Sequence, residues 1–252
     1  MSSNSWKNKA RRQQKATGAP YMRALRQVDN DSDQPAGPVP ESAGAARLLS
    51  LLELDTNDTP DVTTLWSQRD VLRSIPIGLQ AGGSPVWLDL NDHLAGGNGP
   101  NGLMVGTAGS GKSTLLQSML FALCAQHAPD QLQLMRVGSK ERSRSVFDDF
   151  AEYPHVVKAP GWGAPKEVLH TLIDERYGLP DRPKLVVVID EIPPADHYSL
   201  DNEIGIVGTL GSMMRHARPV GIHVLISAQT LSPGSTAQLA MGADYRIALR
   251  TT

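Results

Sequence analysis

The chain has 252 residues, of which 40% are apolar and 20% charged, with a formal net charge of −2. That is enough apolar content for one sizeable core plus a tail, and too little basic excess for a protein that coats nucleic acid over its whole surface. The single cysteine, Cys124, excludes an intrachain disulfide, and no Cys/His cluster has zinc-ligand spacing. No apolar run reaches the roughly 20 residues that span a bilayer. The expectation is a cytoplasmic protein with no membrane span of its own, recruited to the inner face of the membrane, if it works there, by other chains.

In chain order, residues 1–41 are rich in Pro, Gly, Ser and Gln and read as a disordered basic and polar tail. Met1 to Val28 holds no acidic residue but carries Lys7, Lys9, Arg11, Arg12, Lys15, Arg23 and Arg26. Such a run is either a solvated tail or a contact for nucleic acid or an anionic membrane. Residues 42–74 read as a helical lead-in: Ala45 to Leu54 brings a Leu cluster suited to a short buried helix, and Pro60 to Arg73 forms a connector or a second short helix.

From Ile75 to the end, short apolar runs alternate with longer amphipathic stretches, the rhythm of an α/β protein with a mostly parallel sheet flanked by helices. Strands are expected at Val86–Leu90, Leu103–Val105, Leu132–Val137, Leu185–Ile189, Ile222–Ser227 and Tyr245–Leu249. Helices are expected at Lys112–His127, Lys166–Tyr177 and Ile204–His216. Several strands are unbroken Leu, Val or Ile runs, as required when helices cover both faces of a sheet.

The segment Gly106-Thr107-Ala108-Gly109-Ser110-Gly111-Lys112-Ser113 fits the P-loop spacing, with a strand before it and a helix after it, and together with Thr114 it makes up the expected nucleotide-binding residues. Glycines let successive backbone N–H groups turn toward the phosphates of ATP, and the helix N-terminus adds partial positive charge. Lys112 bridges phosphate oxygens, and Ser113 offers its hydroxyl oxygen to Mg2+. The alternative is a Gly-rich turn with no ligand; the flanking strand and helix favour the phosphate site.

A second carboxylate is needed at the end of a buried strand, and Leu185 to Ile189 runs into Asp190 and Glu191. Asp190 is the expected Mg2+ partner and Glu191 the general base for the attacking water. Gln229, at the carboxyl end of the next strand, is placed to hydrogen-bond the γ-phosphate or its water, or else to make a structural bond. His223 reads as a satisfied core histidine. Arg215 and Arg218 are either a basic helix end favoured by the macrodipole or an arginine offered to a neighbouring subunit's site.

These residues together resemble the FtsK/SpoIIIE class of RecA-like, additional-strand motor ATPases, and within it the EccC ATPases of type VII secretion. The resemblance extends beyond the nucleotide motifs. Ile75-Pro76-Ile77-Gly78-Leu79 with Pro85 to Leu90 is similar to the family's entry strands, and Gly96-Gly97-Asn98-Gly99-Pro100-Asn101-Gly102-Leu103 to its approach to the P-loop. Gly221 to Gln229, Tyr245 to Thr251 and the Leu-rich Leu48 to Trp66 also look like family segments. Three departures stand out. Gly138-Ser139-Lys140-Glu141 keeps only the lysine of an Asp-Phe-Lys-Gly-Gly motif, the His155–Lys184 stretch is short, and Thr252 precedes the expected last strand, as in a shortened paralogue or a fragment.

The resemblance implies a hexameric ring, built from one or several kinds of subunit within a larger membrane-bound secretion or translocation machinery. ATP hydrolysis in it moves a polymer, a secreted protein in EccC-like members and double-stranded DNA in FtsK-like ones. A protein-translocating ATPase is the leading reading. A double-stranded DNA translocase or DNA-transfer protein is the first alternative, and a non-hydrolysing nucleotide-binding regulatory subunit the second.

Overall fold

A computed structural model describes residues 41–54, 62–67, 72–80, 82–137, 146–159, 165–179, 182–190, 200–231 and 233–250. The basic tail up to residue 40, the 138–141 segment and Glu191 lie outside the described residues. The chain divides into two compact units, residues 1–61 and 62–252.

In the first unit, helix α1 spans Glu41–Leu51. It stops where Glu53 adopts a left-handed φ of 58°, letting the Leu54 N–H reach back to the Leu49 carbonyl at 2.9 Å. The helix thus starts earlier than the Leu cluster suggests, and the last leucines of that cluster, Leu52 and Leu54, lie in its closing turn.

The second unit opens with a single helical turn, α2 (Thr63–Trp66), and an antiparallel hairpin of β1 (Ile75–Leu79) and β2 (Pro85–Leu88). Five parallel strands follow: β3 (Gly102–Val105), β4 (Leu132–Val137), β5 (Lys184–Ile189), β6 (Ile222–Ala228) and β7 (Tyr245–Ala248). Their order in the sheet is β4-β5-β6-β3-β7. Helices α3 (Lys112–Gln126), α4 (Pro165–Arg176), α5 (Leu200–Ala217) and α6 (Pro233–Ala240) complete the unit. No helix among the described residues is long and apolar enough to cross a membrane.

Burial follows position in the sheet. All seven residues of central β6 are buried, whereas outermost β7 alternates between half-buried and exposed. On one face, Leu185, Val187, Ile189, Ile222, Val224 and Ile226 pack with residues of α4 and α5. On the other, Met119, Leu120 and Leu123 of α3 meet Val186, Leu225 and Tyr245 around a void of about 10 Å³, room for one water. His223 lines that void and is a core histidine as expected, but not a satisfied one: its Nδ1 has no hydrogen-bond partner. Helix α6 escapes sequence reading because Pro-Gly-Ser reads as a turn; Pro233 instead starts a helix whose last residues pack on α5.

The glycine-rich approach to β3 serves packing at the sheet's amino edge. Gly99 has φ of 100°, and a Cβ there would lie 2.3 Å from the Asp244 side chain; a Cβ on Gly102 would strike the Tyr245 ring at 2.3 Å. Between them, buried Asn101 joins three elements. Its amide nitrogen donates to the Met214 carbonyl (3.0 Å), its side-chain oxygen accepts from the Val224 N–H (3.1 Å), and its backbone N–H donates to Asp244 (3.0 Å). Asn101→Leu leaves a buried carbonyl and a buried N–H unpaired, so it should destabilise the unit by about 3 kcal/mol. A urea midpoint equal to wild type would contradict this.

The carboxyl end of α3 is satisfied by side chains. Trp66 Nε1 donates to the Cys124 carbonyl (3.1 Å), His127 Nδ1 to that of Leu123 (2.8 Å), and His155 Nε2 to that of His127 (2.7 Å). His127 Nε2 accepts the Arg73 N–H at 2.9 Å, which assigns the neutral tautomer. Burial lowers the His127 pKa to about 4 despite the Leu123 bond, and burial lowers that of His223 to about 4 as well. The native state therefore binds fewer protons than the unfolded chain between pH 6.5 and about 4. Their contribution to stability is complete above that window and falls through it on acidification, by on the order of 3 kcal/mol per histidine. Thermal unfolding at pH 7.5 and 5 checks the sign; a melting temperature that rises at pH 5 would refute it.

Candidate nucleotide-binding site

Because all five strands are parallel, their carboxyl ends share one edge, where open α/β sheets bind ligands. The loop 106–111 leaves β3 at that edge and enters α3. Gly109 and Gly111 have φ of 76° and 96°, values an L side chain rarely adopts. Gly106 is needed for another reason: a Cβ there would meet Ser110 Oγ at 2.6 Å and Leu249 Cβ at 2.9 Å. Gly111 is the N-cap of α3 and supplies no side-chain cap, so the first N–H groups of this 15-residue helix have no capping side chain. Ser113 and Thr114 are exposed there.

Lys112 folds back over the loop, its ammonium donating to the Gly106 carbonyl at 2.5 Å and reaching the Thr107 carbonyl at 3.4 Å. The Ser110 hydroxyl is buried inside the loop without a partner. Thr107 differs from its neighbours: its N–H and its hydroxyl both donate to the Arg250 carbonyl, at 3.1 and 2.9 Å. Ala108 is exposed at the loop's tip. Uncapped helix amides, two left-handed glycines, an orphan hydroxyl and a lysine over the concavity suit a polyphosphate and its metal.

Register places the acidic strand. Val186, His223 and Leu225 line the α3 side of the sheet, and alternation puts Val188, Asp190 and Ser227 on the same side. Half-buried Asp190 thus follows β5 on the face and at the edge where α3 begins. β6 lies between β3 and β5, pairing Val105 with Ala228 and Ile226 with Ile189. Two strand spacings, roughly 10 Å, separate the loop from the acidic strand end. Half-buried Gln229 follows β6 in that gap. Glu191, next to Asp190 in sequence, lies outside the described residues.

Arg215 and Arg218 are elsewhere. Both precede β6 and so sit at the amino edge of the sheet. Arg215 Nη1 donates to the Gly211 carbonyl at 3.2 Å, and Arg218 forms an ion pair with Asp244 and a second with Asp92 at 3.3 Å. Both arginines are thus engaged by groups of their own chain. Sequence reading missed three residues of the frame: Ser227, 3% exposed and one step before the end of β6; Asn101; and Arg250, whose carbonyl holds the loop. Only alternation along β6 signals Ser227 in advance; Asn101 and Arg250 fall in the family-like segments 96–103 and 245–251, but no local pattern signals their contacts.

A family model described as FtsK/SpoIIIE family matches residues 63–175. The ESX secretion system protein EccC of Thermomonospora curvata is 30% identical over 239 residues, which cover 81% of this chain and 18% of that protein. ESX-3 secretion system protein EccC3 of Mycobacterium tuberculosis is 29% identical over 246 residues, with the same coverage of 81% and 18%. The solved cytoplasmic domain of the Thermomonospora curvata type VII secretion ATPase EccC matches with a TM-score of 0.68 at 29% identity, over 81% of this chain and 27% of that one. The cytoplasmic domain of EssC shares the fold at a TM-score of 0.50 and 18% identity, over 70% of this chain and 37% of that one. The chain therefore spans about a fifth of the length of the curated relatives it matches, 18% in each case. Residues 63–175 thus form an FtsK/SpoIIIE family-model domain, and the chain is homologous to the EccC ATPases of type VII secretion.

Proposed function

We propose that this chain is an ATP-hydrolysing motor module that couples turnover to the movement of a secreted protein. The observation that carries the reading is the interposed strand: β6 separates the phosphate-loop strand from the acidic strand, and continued strand alternation would put Asp190 on the face where α3 starts. Residues 75–252 form the motor domain, with 42–74 as its lead-in and 1–41 as a tail. The module works in the cytoplasm within a homo- or hetero-oligomeric ring of a membrane-bound machinery.

The assigned roles follow from charge and position. The loop and helix amides from Gly109 to Thr114 bind phosphate oxygens, and Lys112 exchanges the Gly106 carbonyl for them. The Ser113 hydroxyl and the Asp190 carboxylate would hold Mg2+, which would supply positive charge against the phosphates. Glu191 takes a proton from water as its oxygen attacks the γ-phosphorus and the bond to the β–γ bridging oxygen breaks. Gln229 orients that water or the γ-phosphate.

The test is single-turnover ATP hydrolysis by the purified chain, alone, with the C-terminal signal peptide of a secreted substrate, and with duplex DNA. Mg2+-dependent hydrolysis that ignores DNA and responds to the peptide is expected. Stimulation by DNA that weakens steeply with salt would transfer the assignment to a DNA translocase, to which the basic run from Lys7 to Arg26 would lend phosphate contacts. Binding without turnover would make the chain a regulatory subunit.

A further inference from the structure

We propose that Thr107 is a positioning residue of the phosphate loop rather than a nucleotide ligand, tying the loop's entry to β7 through the Arg250 carbonyl. The proposal rests on the reading of Gly106 to Ser113 as the ATP site and goes beyond it, since it divides the loop into an anchoring half and a binding half.

The geometry at the entry is closed. Parallel pairing of β3 with β7 ends at Val105 and Ala248 as regular strand, but it continues through the Leu249 N–H to the Val105 carbonyl (2.8 Å). It ends in the two bonds from Thr107 to the Arg250 carbonyl, 3.1 Å from the N–H and 2.9 Å from Oγ1. Gly106 is pressed between Leu249 and Ser110. The Thr107 carbonyl faces the other way, accepting from the Ser110 N–H at 3.1 Å and lying 3.4 Å from the Lys112 ammonium. Both donors of Thr107 are therefore directed at β7, and neither is aimed at the loop's concavity.

One residue thus holds the strand edge with its donors and the turn of the loop with its acceptor. Losing the hydroxyl frees the entry half to move, and the amides from Gly109 onward must then be ordered when phosphate binds, a cost that appears as weaker affinity. The loss falls equally on ATP and ADP, because the hydroxyl touches neither. A direct contact to the γ-phosphate would penalise ATP alone. Since β7 is the outermost strand of the sheet, any displacement of its carboxyl end displaces the loop entry with it.

Thr107→Val keeps the shape and the N–H bond while removing the hydroxyl; Thr107→Ser keeps the hydroxyl. Equilibrium binding of fluorescent ATP and ADP analogues should weaken roughly 5-fold for both nucleotides in Thr107→Val, the value of one hydrogen bond, and stay near wild type in Thr107→Ser. Amide exchange across residues 105–111 without nucleotide should rise in Thr107→Val and not in Thr107→Ser. A loss confined to ATP, unaltered exchange, or failure of serine to restore affinity overturns the anchor. Absence of nucleotide binding by wild type, with exchange behaving as expected, overturns the ATP-site reading and leaves the tether standing.

Discussion

Lys112→Ala should weaken ATP binding at least 100-fold and remove measurable turnover. In the structure the ammonium lies 2.5 Å from the Gly106 carbonyl, at the mouth of the loop. Charge-assisted hydrogen bonds contribute about 1.5 to 3 kcal/mol each, and two such bonds to phosphate oxygens amount to a hundredfold or more in affinity. Lys112→Arg should not restore binding, because a planar guanidinium does not replace a compact ammonium under the loop. Isothermal titration with ATP and Mg2+ measures the effect. Wild-type affinity in Lys112→Ala would contradict the phosphate-site reading.

Glu191→Gln should leave ATP affinity within a few-fold of wild type while lowering single-turnover hydrolysis by roughly 10²- to 10⁴-fold, the usual contribution of a positioned general base. Glutamine keeps the size and a hydrogen-bonding oxygen but cannot accept the water's proton. Asp190→Asn differs in kind: it weakens the metal site, so its defect is partly relieved by excess Mg2+, and a shift in the Mg2+ dependence separates the two variants. Turnover undiminished in Glu191→Gln would assign the base to another residue.

The two predictions draw on different kinds of information. Lys112, Ser113 and their glycines were legible because a phosphate loop requires residue types at fixed spacing within eight consecutive positions, and local chemistry leaves few alternatives. Asp190 was legible because an unbroken Leu-Val-Val-Val-Ile run must be a covered strand, so the first polar residue after it stands at the strand's end. Arg215 and Arg218 were ambiguous for the opposite reason. A basic pair near a helix terminus has the same sequence appearance whether it faces a neighbour's phosphate or its own subunit's Asp92 and Asp244, 126 and 26 residues away from Arg218 by chain number.

The sequence alone determined the alternation of strand and helix, the phosphate loop and the acidic strand end, because periodicity and short-range spacing are properties of neighbouring residues. Only the tertiary structure decided that β6 enters between β3 and β5, that Asn101 pins three elements at the amino edge, and that Thr107 is bound to Arg250. Those contacts join positions more than a hundred residues apart. No local pattern encodes them; they arise when parallel strands settle into one order and bring backbone groups with unmet hydrogen bonds face to face.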